Sequence, residues 1–134
     1  MFVINNNDQI EYVATSPDQV KTELEKLFQY IESLQEKKLN SYEIFYYASM
    51  IHLVFVKIHP FQDGNGRTAR LLEKWFLLEN LGEKAYAVQL EKNYFLKLAD
   101  YYRNIKKLGV EYEDLDYRKS LNFLLMTVES LDEK

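Results

Sequence analysis

The stretch Ile44-Phe45-Tyr46-Tyr47-Ala48-Ser49-Met50-Ile51-His52-Leu53-Val54-Phe55-Val56-Lys57-Ile58 decides the fold. Ile44, Phe45, Tyr46, Ala48, Ile51, Leu53, Val54, Phe55, Val56 and Ile58 leave almost no polar face for water, which marks a central buried helix. The expected helix spans 42–58, and His59-Pro60 marks its end.

Working outward, Ser16-Pro17-Asp18-Gln19 reads as a helix start. Ser16 can cap it, Pro17 suits the first helical position, and Gln19 completes a capping box. Val20, Leu24, Leu27, Ile31 and Leu34 recur at spacings of three and four, giving that helix one apolar face. The segment 37–40 is the break. Before it, Phe2-Val3-Ile4, Asn5-Asn6-Asn7-Asp8 and Ile10-Glu11-Tyr12-Val13 predict a short hairpin with a polar turn. A lone hairpin is marginal in water and must lean on something.

Downstream, a helix is expected over 68–81, with Leu71, Leu72, Trp75, Phe76 and Leu78 inward and Gly82 as its C-cap. Another is expected over 92–108 through Tyr94, Leu98, Tyr101 and Ile105, ahead of Gly109. A last one is expected over 117–131 through Leu121, Leu124, Leu125 and Val128. No repeat, linker or low-complexity stretch appears. The expectation is an all-α core with an N-terminal β-hairpin in a single domain, 1–134, in which 1–15 is the hairpin and 59–70 a loop and helix start.

Composition narrows the function. The 134 residues are 47 % apolar and 28 % charged, ordinary globular usage that argues against a disordered tail, a collagen-like fibre or a membrane bundle. Cysteine is absent, which removes a disulfide scaffold, a zinc finger and a thiol nucleophile. Two prolines and four glycines are too few for a loop-rich β-sandwich. The net charge of −4, with only short pairs such as Lys37-Lys38 and Lys106-Lys107, argues against nucleic-acid binding. The N-terminus lacks the pattern of a signal peptide. No apolar run reaches the ~18 residues that span a bilayer, so no membrane association is expected. The expected compartment is the cytoplasm, and an effector exported by a dedicated machine would look the same.

The chemistry concentrates in His59-Pro60-Phe61-Gln62-Asp63-Gly64-Asn65-Gly66-Arg67-Thr68-Ala69-Arg70. Gly64 and Gly66 let backbone approach a ligand closely. Their successive N–H groups can form an anion nest, to which a following helix N-terminus adds donors. Arg67 and Arg70 lie one helical turn apart and can face one ligand. Asp63 sits at the edge of this phosphate cradle, and Mg²⁺ commonly rests on one or two carboxylates plus substrate phosphates. His59 is the nearby side chain whose ordinary pKa suits proton transfer. Taken singly, each of these is more often structural: a turn, a helix end, a cap. Gathered into twelve residues, they point to transfer of a phosphate-containing group to an incoming hydroxyl.

This segment resembles the Fic (filamentation induced by cAMP) signature, His-x-Phe-x-Asp/Glu-Gly-Asn-Gly-Arg-x-x-Arg, at every fixed position. The flanks Ile51-His52, Lys57-Ile58 and Thr68–Leu72, and the hairpin followed by a capped helix, are similar to the family too. The resemblance implies a Fic-type helical bundle whose N-terminal hairpin is a flap. It implies a protein adenylyltransferase that moves AMP from ATP to a Ser, Thr or Tyr hydroxyl of a target protein. On that likeness His59 is the general base and Asp63 holds Mg²⁺. Gly64, Asn65 and Gly66 form the anion hole with help from the Asn65 side chain. Arg67 contacts the phosphates, Arg70 grips the γ-phosphate, and Phe61 is a core anchor that fixes the loop.

By the same resemblance the flap, through Val3, Ile4, Tyr12 and Val13, takes an extended target segment as an added strand. A hairpin that merely covers the core is the equal alternative. Tyr94, Tyr101 and Tyr102 come from the helix that borders the nucleotide base, and either stack on adenine or serve core packing. His52 reads as structural. Gly64 and Gly66 stand where the phosphate-transferring branch carries Ala and Lys, which favours AMP transfer. Transfer of UMP or phosphocholine, phosphate transfer, removal of AMP, or non-catalytic nucleotide binding are the alternatives.

The family's inhibitory motif, Ser/Thr-x-x-x-Glu-Gly/Asn, is absent. Thr22 leads to Lys26, Ser33 to Lys37, Thr127 to Leu131 and Ser130 to Lys134. The expectation is a separate antitoxin-like protein that presents a Glu to Arg70, a constitutive minimal domain, or an inhibitory segment that has been removed.

Overall fold

In the computed structural model, which describes residues 2–4 and 10–131, the chain runs β1 (Phe2–Ile4), β2 (Ile10–Val13), α1 (Val20–Gln35), α2 (Ser41–Ile58), α3 (Asn65–Leu81), α4 (Leu90–Leu96), α5 (Leu98–Lys106) and α6 (Leu121–Glu129). Segments of 3-10 helix occupy Pro17–Gln19, Gly82–Ala87, Tyr112–Asp114 and Tyr117–Lys119. The fold is predominantly helical, as the patterning predicts.

Helix α2 is the hub, packing against α1, α3 and α6. Ala48, Ile51, Leu53 and Ile58 are buried, with Ile44, Phe55 and Val56 beside them. Each Val, Leu, Ile or Phe among them contributes about 1.5–3 kcal/mol by leaving water. Tyr46 is the exception, because it lies on the outer stripe and is half exposed. The helix starts with a capping box that the sequence reading passed over as a break. Asn40 Oδ1 accepts from the Glu43 backbone N–H at 2.9 Å, and Glu43 Oε1 accepts from the Asn40 N–H at 3.1 Å. Ser16, by contrast, makes no side-chain cap bond. Residues 17–19 form a 3-10 turn closed by the Gln19 N–H on the Ser16 carbonyl at 2.9 Å, so α1 begins only at Val20. Leu27, Ile31 and Leu34 then bury its apolar face.

Helix α3 begins at Asn65, three residues ahead of the expected Thr68. Its inner stripe is Ala69, Glu73, Phe76 and Leu77. Leu71, two residues from both Ala69 and Glu73, falls about 200° around the helix and is exposed rather than inward. Gly82 caps the C-terminus at φ 63°, its N–H on the Leu78 carbonyl.

The single helix expected over 92–108 is two, α4 and α5, broken at Lys97 with φ −117° and ψ 38°. Leu98 is half exposed, while Tyr94, Tyr101 and Ile105 are buried. Helix α6 is also turned from its expected phase. Phe123, Met126 and Thr127 face the core, whereas Leu121, Leu125 and Val128 face solvent. The reason is polar: the Thr127 hydroxyl bonds inside, to Ser49 and Glu73, at 2.6 Å each.

The two strands pair antiparallel, Phe2 with Val13, Val3 with Tyr12 and Ile4 with Ile10, with an irregularity between Val3 and Ile4. They lean on the helical body where the Val13 N–H donates to the Val110 carbonyl at 2.7 Å. The expected polar turn at 5–8 lies outside the described residues. Among the described residues no helix is long and apolar enough to cross a membrane.

Candidate active site

The site is built where α2 stops. His59 caps that helix in the left-handed region, φ 54° and ψ 61°, with its N–H on the Phe55 carbonyl at 3.0 Å. A side-chain-bearing residue there costs about 1–2 kcal/mol, and such strain gathers at functional sites. The reversal carries the imidazole off the core to a half-buried position. Burial holds its pKa below the ordinary histidine value, so the ring is neutral at neutral pH.

The loop after it is tied by Asn65. The Asn65 carboxamide accepts from the Phe61 N–H at 3.0 Å and donates to the Phe61 carbonyl at 2.7 Å. Asn65 is therefore a buried clasp, and its side chain is occupied by the loop itself rather than turned to a ligand. Phe61, expected as a core anchor, is half exposed and touches Phe55 only at a ring separation of 6.4 Å. What fixes the loop is its backbone. Gly64, at φ 87°, turns the chain into α3. The first intrahelical bond is that of the Thr68 N–H to the Gly64 carbonyl, at 2.9 Å. The N–H groups of Asn65, Gly66 and Arg67 precede it, and so form the unbonded first turn of a helix, a ready site for an anion.

A cavity of about 180 Å³ opens on this turn, lined by His59, Asp63, Gly64, Asn65, Gly66, Arg70, Tyr101 and Tyr102 among others. A larger one of about 490 Å³ adjoins it and shares Arg70, Leu98 and Tyr101. The structure thus brings the base candidate, the glycine turn and Arg70 together. It does not bring Arg67 with them. That guanidinium is exposed and pairs with Asp63 at 3.1 Å, a solvent-facing pair worth at most about 1 kcal/mol. Both glycines leave room that arginines fill. A Cβ on Gly64 would lie 3.3 Å from Arg67 Nη2, and one on Gly66 3.3 Å from Arg70 Nη1 and 3.8 Å from the Tyr101 hydroxyl.

The three tyrosines separate. Tyr102 and Tyr101 line the cavity with His59. Tyr94 is a core residue whose hydroxyl donates to Glu73 Oε1 at 3.1 Å, and its ring borders only the larger space. Of the flap residues, Val13 is half-buried, and the side chains of Val3, Ile4 and Tyr12 lie outside the described residues.

Sequence reasoning missed Glu73. It is fully buried, with Oε2 2.8 Å from His52 Nδ1. His52, expected to be structural, is fully buried too, and its Nε2 lies 2.8 Å from the Tyr101 hydroxyl. The available signal was position: Glu73 falls on the same stripe as Ala69, Phe76 and Leu77.

Residues 3–77, more than half of the chain, match the Fic/DOC family. The chain belongs to that family. Among its curated relatives, a protein adenylyltransferase Fic of Aedes aegypti is 50 % identical over 48 residues, covering 32 % of this chain and 10 % of the relative. The protein of the same name from Drosophila yakuba is 42 % identical over 57 residues, 40 % of this chain and 12 % of the relative. That of Nematostella vectensis is 34 % identical over 68 residues, 51 % and 15 % respectively. The chain spans between 10 % and 15 % of the length of these three relatives. No solved structure matches it.

Proposed function

We propose that this domain is a protein adenylyltransferase that moves AMP from ATP to a Ser, Thr or Tyr hydroxyl of a target protein. The observation that carries the reading is one cavity shared by a neutral, half-buried His59, the open first turn of α3 and Arg70. An imidazole held below its ordinary pKa is neutral at neutral pH and accepts a hydroxyl proton on its unprotonated ring nitrogen. The hydroxyl oxygen then bonds to the α-phosphorus while the bond from that phosphorus to the bridging oxygen breaks, releasing pyrophosphate. Negative charge grows on the phosphoryl oxygens and the leaving group. Backbone N–H groups of the first turn of α3 are fixed donors for it, needing no reorganisation, and the Arg70 guanidinium adds positive charge.

Mg²⁺ fits this donor set. Asp63 is exposed and held only by its surface pair with Arg67, which a cation readily replaces. Among the described residues no group of three or more His, Asp or Glu side chains gathers to hold a metal. A cation held by Asp63 would take its other ligands from nucleotide phosphates and water, the usual Mg²⁺ arrangement. Bound there, it would neutralise phosphate charge. The adjoining 490 Å³ space suits the rest of the nucleotide, with the Phe95 ring on its wall as a candidate platform for the base. The paired strands β1 and β2 offer an edge on which an extended target segment can add. A separate protein that brings a carboxylate to Arg70 would inhibit by occupying the cation the triphosphate needs.

The test is intact-mass spectrometry after incubation with ATP and Mg²⁺, with and without lysate of the source organism. Wild type should add one AMP to itself or to a lysate protein, and His59→Ala should not. Addition of one phosphate instead would replace this reading with phosphate transfer.

A further inference from the structure

A chain of buried polar groups runs from the core to the wall of the cavity. Its inner end is Glu73, whose Oε1 accepts from the Thr127 hydroxyl at 2.6 Å and whose two oxygens lie 3.1 and 3.2 Å from the Tyr94 hydroxyl. Ser49 supports it through the 2.6 Å bond to Thr127. His52 is the middle link, with Nδ1 on Glu73 and Nε2 on the Tyr101 hydroxyl, both at 2.8 Å. Five helices supply these groups: α2, α3, α4, α5 and α6. A buried carboxylate is costly unless bonded, so such a chain is retained only where every member is satisfied.

A carboxylate accepts and does not donate, so His52 Nδ1 carries the hydrogen of the Glu73 bond. That leaves Nε2 committed to Tyr101, as acceptor of its hydroxyl hydrogen or, in a doubly protonated ring, as donor to its oxygen. In either state the Tyr101 oxygen is fixed on the His52 axis. It is also at the cradle. The Cβ position of Gly66, in the first turn of α3, lies 3.8 Å from this oxygen and 3.3 Å from Arg70 Nη1. Tyr101 lines both cavities at the boundary where Arg70 stands.

We propose that Tyr101 serves the site through its hydroxyl, which His52 and Glu73 position. With its hydrogen given to His52, the Tyr101 oxygen accepts from the Arg70 guanidinium and so holds that cation on the polyphosphate end of a bound nucleotide; where the ring instead donates to the oxygen, the freed hydroxyl hydrogen is given to the phosphate directly. His52 and Glu73 are then positioning residues. The inference rests on the nucleotide-transfer reading above and assigns Tyr101 a role other than stacking on the base.

Calorimetric titration with ATP tests it, using wild type, Tyr101→Phe, His52→Asn and the double variant, with thermal melting in parallel. Tyr101→Phe keeps the ring and removes the oxygen. His52→Asn keeps a donor for Glu73 and loses the reach to Tyr101. We expect the ATP dissociation constant to rise about tenfold in Tyr101→Phe, the size of a lost hydrogen bond to a charged group. His52→Asn should weaken ATP by a similar factor, and the double variant should bind no worse than Tyr101→Phe. His52→Gln, whose amide reaches toward Tyr101, should recover part of the affinity. A merely structural chain would lower melting temperature and leave ATP affinity alone. Tyr101→Phe binding ATP within twofold of wild type overturns the inference, as do factors that multiply in the double variant. Should His52→Asn fail to fold, Tyr101→Phe alone decides. Wild type that binds no ATP overturns the transfer reading as well, an outcome distinct from loss of the Tyr101 effect.

Discussion

The carboxamide of Asn65 closes on Phe61 from both sides, accepting from its N–H at 3.0 Å and donating to its carbonyl at 2.7 Å. This clasp joins the first residue of α3 to the loop that follows His59, so it sets the distance between the base candidate and the anion turn. Asn65→Ala removes both bonds at a buried position and should cost about 1–3 kcal/mol of stability. AMP transfer should fall at least tenfold with it. Phe61→Ala removes a half-exposed ring and should cost less. Thermal melts of the two variants decide: a larger loss in Phe61→Ala would mean that the ring, not the clasp, holds the loop.

As the base of the proposed transfer, His59 should give the reaction its acid limb. Its pKa is lowered, chiefly by burial, so the neutral, proton-accepting form persists to a pH below the ordinary 6.5. The rate should be level through neutrality and fall only as pH drops past that lowered value, tenfold per unit in the steep region. A rate profile measured at saturating ATP would contradict the assignment by falling already at or above the ordinary 6.5.

The two glycines of the loop should respond to alanine in opposite ways. Gly64 has φ 87°, where a Cβ is strained whatever the space, so Gly64→Ala should lower the melting temperature. Gly66 lies in the first turn of α3 without that strain, and Gly→Ala at a compatible backbone position stabilises by about 0.4–1 kcal/mol through the unfolded chain. What its Cβ meets is the end of the Arg70 side chain, at 3.3 Å, which gives way easily. Gly66→Ala should therefore fold as well as wild type or better, yet bind ATP more weakly, because the Arg70 guanidinium is pushed from the cradle. Equal ATP affinity in Gly66→Ala and wild type, read by calorimetry, would remove Arg70 from the binding surface.

These contrasts explain what was legible in the sequence. The turn of the 59–70 loop into α3 is legible because its cues are local: a helix end at His59-Pro60 and a Gly-x-Gly turn into the next helix. The buried helix α2 reads clearly because an all-round apolar wheel has one solution. The phase of α6 does not. Leu121, Leu125 and Val128 form a tidy apolar stripe, but Thr127 has hydrogen-bond partners deep in the core, and burying it turns the stripe outward. Glu73 is hidden for the same reason. A lone carboxylate in a helix looks solvated until His52, Tyr94 and Thr127, 21 to 54 residues away in the chain, are seen to surround it. Long-range polar satisfaction is what periodicity cannot show. The capping box at Asn40 and Glu43 was within reach, being an Asn-x-x-Glu just before an apolar run.

Lys57 makes the same point energetically. It is fully buried two residues before His59, with its ammonium on the Gly109 carbonyl at 3.2 Å, and burial lowers its pKa to about 8 from 10.5. Between those two values the unfolded chain holds a proton on this lysine that the folded chain has released. Stability therefore rises with pH through that window as far as this group is concerned, and the burial penalty is felt in full below pH 8. Tyr30 and Tyr117 act oppositely, since burial pushes them up to about 12, but their effect begins only near pH 10, where unfolded tyrosine ionises. Denaturant melts at pH 7 and pH 9.5 should thus show wild type gaining on the order of 2 kcal/mol relative to Lys57→Met. The sign distinguishes the causes. A wild type that loses ground to Lys57→Met as pH rises would mean the ammonium is held by attraction, with its charge favoured by the fold, and the buried end of α2 would be an electrostatic anchor instead of a penalty.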